Sequence, residues 1–149
     1  MELPETFHFI HQRRVEWADT DTAGITHFTA FLRYAEESEH SFWRSLGWSV
    51  HPGNEDNKTG WPRLSVSCDF AKPVRFEQVL RIGMRILEVG NTTLRYGFWM
   101  FDDDGTESGL VASGELTIIH VVLDREKGRI QKMPISEDLR EQLESLDEV

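Results

Sequence analysis

The sequence predicts an α+β domain in which a curved antiparallel sheet wraps one long central helix. Two observations carry that expectation. Apolar residues recur at helical spacing over one long stretch near the N-terminus, and at alternating positions through most of the remainder. A third observation bounds it. A chain of 149 residues with 39% hydrophobic content can bury one real core, and no repeat or low-complexity linker divides it. A single domain over residues 1–149 is expected.

The elements follow in order. From Phe7 the odd positions Phe7, Phe9, Val15 and Trp17 are apolar, with His11 and Arg13 interrupting, which makes an imperfect strand. A loop with Asp19, Asp21 and Gly24 comes next. From about His27 the period changes, and Phe28, Phe31, Leu32, Ala35, Phe42 and Leu46 fall near one helical stripe. Glu36, Glu37, Glu39 and Arg44 are available for the wet side. Thr26 is the expected N-cap and Gly47 the expected stop, for a helix of about five turns.

The polar run "HPGNEDNKTG", His51 to Gly60, reads as a loop. Alternation then returns at Leu64, Val66, Cys68 and Phe70, and again at Leu80, Ile82, Met84 and Ile86. "LRYGFWMF", Leu94 to Phe101, is apolar on both faces, and Leu110 to Leu123 reads as one long strand. Gly90 to Thr92 and Asp102 to Gly109 have hairpin-turn chemistry. A last amphipathic helix is expected over about residues 135–146. The strands after Leu64 and after Leu110 would leave open edges and exposed apolar side chains. Self-association, as a homodimer or dimer of dimers, is therefore expected.

A net charge of −10 argues against nucleic acid and against an anionic membrane surface, since both need a basic face. No apolar run reaches the length of a membrane span. The single cysteine, Cys68, allows no internal disulfide, and its alternation onto an apolar face suits packing better than nucleophilic attack. No basic segment followed by an apolar one opens the chain, so a cytoplasmic protein is expected.

The most informative stretch is "EWADTDTAGITHFTAFLRYAEE", Glu16 to Glu37. It places two aspartates and a glycine just ahead of a helix start. A helix N-terminus offers amide N–H groups without intrahelical partners and a partial positive charge. A carboxylate and an anion-stabilising helix end together could act on one carbonyl group. On spacing alone, acidic residues that cap loop amides are the commoner use of such a pattern. Gly24 suits a positive φ or a close backbone approach. His27 suits a helix-end hydrogen bond.

Other candidates are weaker. Glu37 and His40 form one Glu-x-x-His pair, whereas a di-iron bundle needs two such pairs and further carboxylates. "DDDG", Asp102 to Gly105, lacks the closing glutamate of a calcium loop and suits a tight turn. Lys72, Arg75, Arg81 and Arg85 form a modest basic series that suits solvated surface or phosphate contacts. Tryptophans 17, 43, 48, 61 and 99 suit either a pocket lining or the core.

These motifs resemble the 4-hydroxybenzoyl-CoA thioesterase family of the hotdog fold, from about Phe9 to Leu123. Asp19, Asp21 and Gly24, followed by Phe28 and Phe31, match its first block. "WPRLSVSCDFAKPVRFEQVLRI", Trp61 to Ile82, matches its second. The resemblance implies acyl-CoA thioester hydrolysis without metal or cofactor. It makes Asp21 the essential carboxylate, as nucleophile or general base, and the backbone N–H of Phe28 the donor to the thioester carbonyl. Many members carry His or Tyr where Phe28 stands; His27 lies beside it. Some carry a basic cluster at the hairpin occupied here by Glu88 to Thr93, so Lys72 and Arg75 become the candidates for coenzyme contacts, with Gly24 shaping the loop. Two rivals remain. A hotdog hydratase or dehydratase would need a histidine on the central helix, where His40 is the candidate. A non-catalytic acyl-CoA-binding module is disfavoured by an intact Asp21.

Overall fold

A computed structural model describes residues 1–50, 59–102, 109–124 and 128–149. The elements run β1 (Phe9–Arg14), a 3-10 turn (Trp17–Asp19), α1 (Phe28–Ser45), β2 (Thr59–Gly60), β3 (Arg63–Phe70), β4 (Val79–Val89), β5 (Thr93–Phe101), β6 (Leu110–Ile119), β7 (Val121–Asp124), β8 (Arg129–Lys132) and α2 (Glu137–Glu144). The main sheet is antiparallel with strand order β1-β4-β5-β6-β3; a small sheet has order β2-β7-β8.

Helix α1 lies on one face of the main sheet because its apolar residues fall at i, i+3, i+4 spacing. Phe31, Tyr34, Ala35, Ser38 and Phe42 are buried. Phe42 meets Phe9 of β1 at a ring separation of 5.8 Å, and Phe31 meets Phe70 of β3 at 5.3 Å. Full burial of a ring such as Phe31 or Phe42 contributes about 1.5–3 kcal/mol. Arg13 breaks the apolar alternation of β1 without leaving the interface: its guanidinium lies 5.1 Å from the Tyr34 ring centre and donates to Glu37 at 2.7 Å.

Strand β5 is buried on both sides, as its run of apolar residues requires. Phe98 and Met100 pack under α1. Trp99 and Phe101 are covered by the N-terminal segment, where Phe7 sits 5.8 Å and 6.1 Å from their rings. The Trp99 indole donates to the Glu2 carbonyl at 3.1 Å. Gly83 is needed there, since a Cβ at that position would lie 2.5 Å from the Phe7 ring.

The structure corrects several expectations. The N-cap of α1 is His27, not Thr26; Thr26 is buried and both its N–H and hydroxyl donate to the Val74 carbonyl, at 2.7 Å and 3.1 Å. Strand β6 is no edge, because β5 and β3 flank it; β3 keeps the open side. The stretch from Leu110 to Leu123 is two strands in different sheets, divided at His120, whose N–H donates to the Thr92 carbonyl at 2.7 Å. Glu39 does not face water but is 1% exposed. The tail helix is shorter than expected and starts on Ser136, whose hydroxyl accepts the Leu139 N–H. Gly47 follows the end of α1 with φ of 78°, as a helix stop should. The loop reading of His51 to Gly60 lies outside the described residues except for Thr59 and Gly60, which form β2. The Asp102 to Gly109 turn, with its "DDDG" reading, lies outside them over residues 103–108.

Candidate active site

The loop between the 3-10 turn and α1 is a tight, hydrogen-bonded turn with Asp21 near its tip. Thr20 and Thr26 bridge its base. The Asp21 N–H donates to the Ile25 carbonyl at 2.9 Å, and the Gly24 N–H donates to the Asp21 carbonyl at 3.0 Å. One Asp21 carboxylate oxygen accepts the Ala23 N–H at 2.8 Å, which fixes the side chain on its own turn. Gly24 closes the turn with φ of 73°, where a Cβ would be strained.

Asp19 secures this loop from beneath. It is 2% exposed and accepts from the Tyr34 hydroxyl at 2.7 Å, the Arg33 guanidinium at 2.6 Å and the Glu16 N–H at 3.0 Å, with Arg13 at 3.4 Å. Its carbonyl accepts the His27 N–H at 2.8 Å. Burial alone would raise its pKa. The bonds from Tyr34, the Glu16 amide and Arg33, with the Arg13 charge, outweigh burial and hold the carboxyl below its usual value. Asp19 is thus a joint between the 3-10 turn and the first two turns of α1. Arg75 adds a tie from the next loop, donating to the Gly24 carbonyl at 3.3 Å.

A cleft of about 390 Å³ opens beside this loop, lined by Asp21, Ile25, Phe28, Phe31, Phe70 and Lys72 among others. Its volume suits a small organic group. Phe28 opens α1, so its N–H has no intrahelical acceptor. Asp21, Phe28 and Lys72 therefore share one cleft. Gly24 and Arg75 meet beside it as loop supports. His27 is engaged in capping: its ring nitrogen lies 2.8 Å from the Thr29 hydroxyl, and its ring centre 4.6 Å from that of Phe28.

Other sequence candidates fall elsewhere. Glu37 is held by Arg13. Burial, with Asp69 nearby, pushes the Cys68 thiol up to about 11, leaving it protonated at neutrality. Trp43 and Trp99 are core, and Trp61 stacks on His120 at 4.5 Å. None of the five tryptophans lines the Asp21 cleft. Sequence reading missed the Asp19–Arg33–Tyr34 joint and a second buried cluster, in which Arg63 grips Glu39 through both terminal nitrogens and reaches the Tyr96 hydroxyl at 3.1 Å. No spacing rule pairs Arg63 with Glu39. The alternation hid it, because Arg63 falls in step with the polar positions Ser65, Ser67 and Asp69 of β3, and an irregularity in register after Arg63 sets it apart from them.

A carboxylate and a helix N-terminus around one aromatic-walled cleft can polarise a carbonyl and attack it. The sequence profile of the thioesterase-like superfamily matches residues 15–143. The chain belongs to that superfamily. The resemblance first visible in Glu16 to Ser38 and Trp61 to Ile82 is borne out, and the fold is the hotdog fold of these thioesterases. A protein of Synechococcus sp. (strain CC9311) named 1,4-dihydroxy-2-naphthoyl-CoA hydrolase is 29% identical over 147 residues, covering 92% of this chain and 91% of that protein. The crystal structure of a 1,4-dihydroxy-2-naphthoyl-CoA thioesterase from Synechocystis matches with a TM-score of 0.79 at 22% identity, covering 95% of this chain and 97% of that one. A thioesterase-superfamily structure from Jannaschia sp. CCS1 gives 0.80 at 22% identity, covering 97% and 95%. No described helix of this superfamily member is long and apolar enough to cross a membrane.

Proposed function

We propose that the chain hydrolyses acyl-CoA thioesters, with aromatic acyl groups preferred. The observation that carries this reading is the shared cleft: the Asp21 carboxylate and the open N-terminus of α1 border one cavity walled by Phe28, Phe31 and Phe70. The acyl group lies against those rings, and its carbonyl oxygen takes the Phe28 N–H. Negative charge gathers on that oxygen in the transition state, where the helix end is favourable. Asp21 either adds to the carbonyl carbon or takes a proton from a water that does. The C–S bond then breaks, and the coenzyme leaves as thiol after gaining a proton; on the addition route, water then cleaves the Asp21–acyl anhydride to release the acid and restore the carboxylate. Hydrolysis in ¹⁸O-water under single turnover tests the routes: label in Asp21 marks direct attack with water adding at the aspartyl carbon of the anhydride, whereas general-base catalysis never labels Asp21.

The working unit is a homodimer joined through β3. That strand keeps an open edge, and its Leu64, Val66 and Phe70 are 58%, 49% and 51% exposed. Phe70 also lines the cleft, so a partner on β3 would border the substrate. Lys72, exposed at the mouth, faces the coenzyme arm.

Benzoyl-, acetyl- and palmitoyl-CoA test the reading by thiol release. Fastest turnover of the benzoyl substrate is expected; no release from any of them refutes the activity, and a palmitoyl preference refutes the aromatic assignment. Sedimentation equilibrium coupled to the same assay tests the dimer, which a fully active monomer would overturn.

A further inference from the structure

Of the residues that line the Asp21 cleft, Phe31 is the one that also belongs to the buried apolar core among the described residues. Phe28 and Phe70 are 59% and 51% exposed, whereas Phe31 is 3% exposed. Its ring stands edge-on to Phe70 at 5.3 Å and to Tyr34 at 6.2 Å. Phe31 therefore divides the open cleft from the interior under α1.

The side chains behind that ring are small. Successive residues of a strand point to opposite faces, so Phe70, Cys68 and Val66 of β3 share the face that meets α1. Phe70 pairs with Ala112 of β6 and Cys68 with Gly114; bulk returns only where Val66 pairs with Leu116. Gly114 admits nothing larger, since a Cβ there would collide with the Ser67 carbonyl. On the helix side, the stripe that starts at Phe31 continues through Ala35 and Ser38, one and two turns on. Both are buried, and the Ser38 hydroxyl has no hydrogen-bond partner among the described residues. An alkyl chain passing along them would break no hydrogen bond. The path closes beside Leu116, where Tyr96 pairs with it and meets the Arg63 that grips Glu39.

We infer that Phe31 sets the depth of the acyl cleft, and that its ring confines the site to short and aromatic acyl groups. A benzoyl group ends against the ring, whereas an octanoyl chain needs the space that the ring fills. This rests on the acyl-CoA reading and names the residue that gives the site its preference. Trimming the ring joins its volume to the cleft, because a core relaxes only partly around a deleted side chain.

The ratio of kcat/KM for octanoyl-CoA to that for benzoyl-CoA tests the inference. Phe31→Ala should raise it at least about tenfold, the usual worth of a methylene newly buried in an apolar pocket. Phe31→Leu keeps more of the core filled; it should move the ratio the same way by less, and it decides the matter if the alanine variant does not fold. Adding Ala35→Leu to Phe31→Ala refills the space one turn deeper and should return the ratio toward wild type. Calorimetry with S-octyl-coenzyme A, a thioether that cannot be hydrolysed, should rank the affinities in the same order. An unchanged ratio in the folded Phe31 variants overturns the inference. So does a gain that survives Ala35→Leu, which would place the chain elsewhere. If neither thioester reacts with any variant, the hydrolase reading falls, and the thioether alone decides this one: equal affinity in wild type and the Phe31 variants refutes it.

Discussion

Asp21 and Glu39 are carboxylates served by the same helix, and the fold treats them in opposite ways. Glu39, in the middle of α1, is 1% exposed and gripped by Arg63, with Trp43 and Tyr96 alongside. Asp21, just ahead of α1, is half-buried on a cleft and holds one turn amide. Asp19 stands two residues from Asp21 but resembles Glu39, since each of its oxygens is satisfied. A carboxylate whose lone pairs are all taken can hold a structure together but cannot attack. One that keeps an open face beside a helix N-terminus can do so. The contrast teaches that exposure toward a cavity, not nearness to the motif, separates chemistry from scaffolding.

That contrast can be broken in order of expected effect. Asp21→Asn should lower kcat by about two to four decades, the usual worth of a positioned acid–base or nucleophilic group. Its thermal melt should stay near wild type because no buried bond is lost. A variant that turned over at the wild-type rate would remove Asp21 from the mechanism.

Arg63→Met should act in reverse. Removing one partner leaves the Glu39 carboxylate buried without its cation, a change that costs about 3 kcal/mol or more. Urea unfolding should register it, with far less effect on turnover per folded molecule. A midpoint equal to wild type would show that the pair is not needed for stability.

Asp19→Asn should combine the two behaviours. The loss of charge beside Arg33 and Arg13 should cost about 2 kcal/mol at neutral pH, with a several-fold fall in kcat as the joint under the loop loosens. The pH dependence carries a definite sign. The folded-state pKa lies below the ordinary 3.8, so the stabilisation is fully present above that value and is lost as pH falls through the lowered one. In melts taken from pH 7 down to 3, the gap between variant and wild type should stay constant until about 3.8 and shrink below it. A constant gap across that range would contradict the charge-based account.

The smallest effect is expected at Gly24. Ala at φ of 73° should cost about 1 kcal/mol, with a modest drop in kcat as the turn relaxes. Chemical denaturation and initial rates on one preparation would read both. An unchanged variant would show that the turn tolerates a Cβ.

What the sequence carried was whatever depends on local periodicity. The 3.6-residue stripe located α1 to within a residue or so, because an amphipathic helix buries one face whatever its neighbours are. Alternation located β3 and β4, and the double-sided apolar run of β5 announced a strand covered on both faces. Asp21, Gly24 and Phe28 were legible because the turn, the carboxylate and the helix start are contiguous. Tertiary structure alone decided the rest. It split the last long strand at His120, since the two halves serve different sheets. It moved the cap from Thr26 to His27, since Val74, far along the chain, claimed both Thr26 donors. It buried Glu39, since Arg63 arrives from another element to neutralise it. It also set Asp19 apart from Asp21, because Tyr34 and Arg33 reach one and not the other. The physical reason is common to these cases. Secondary structure follows from bonds and burial patterns repeated along the chain, but the state of a polar side chain is fixed by which distant donor or cation can reach it.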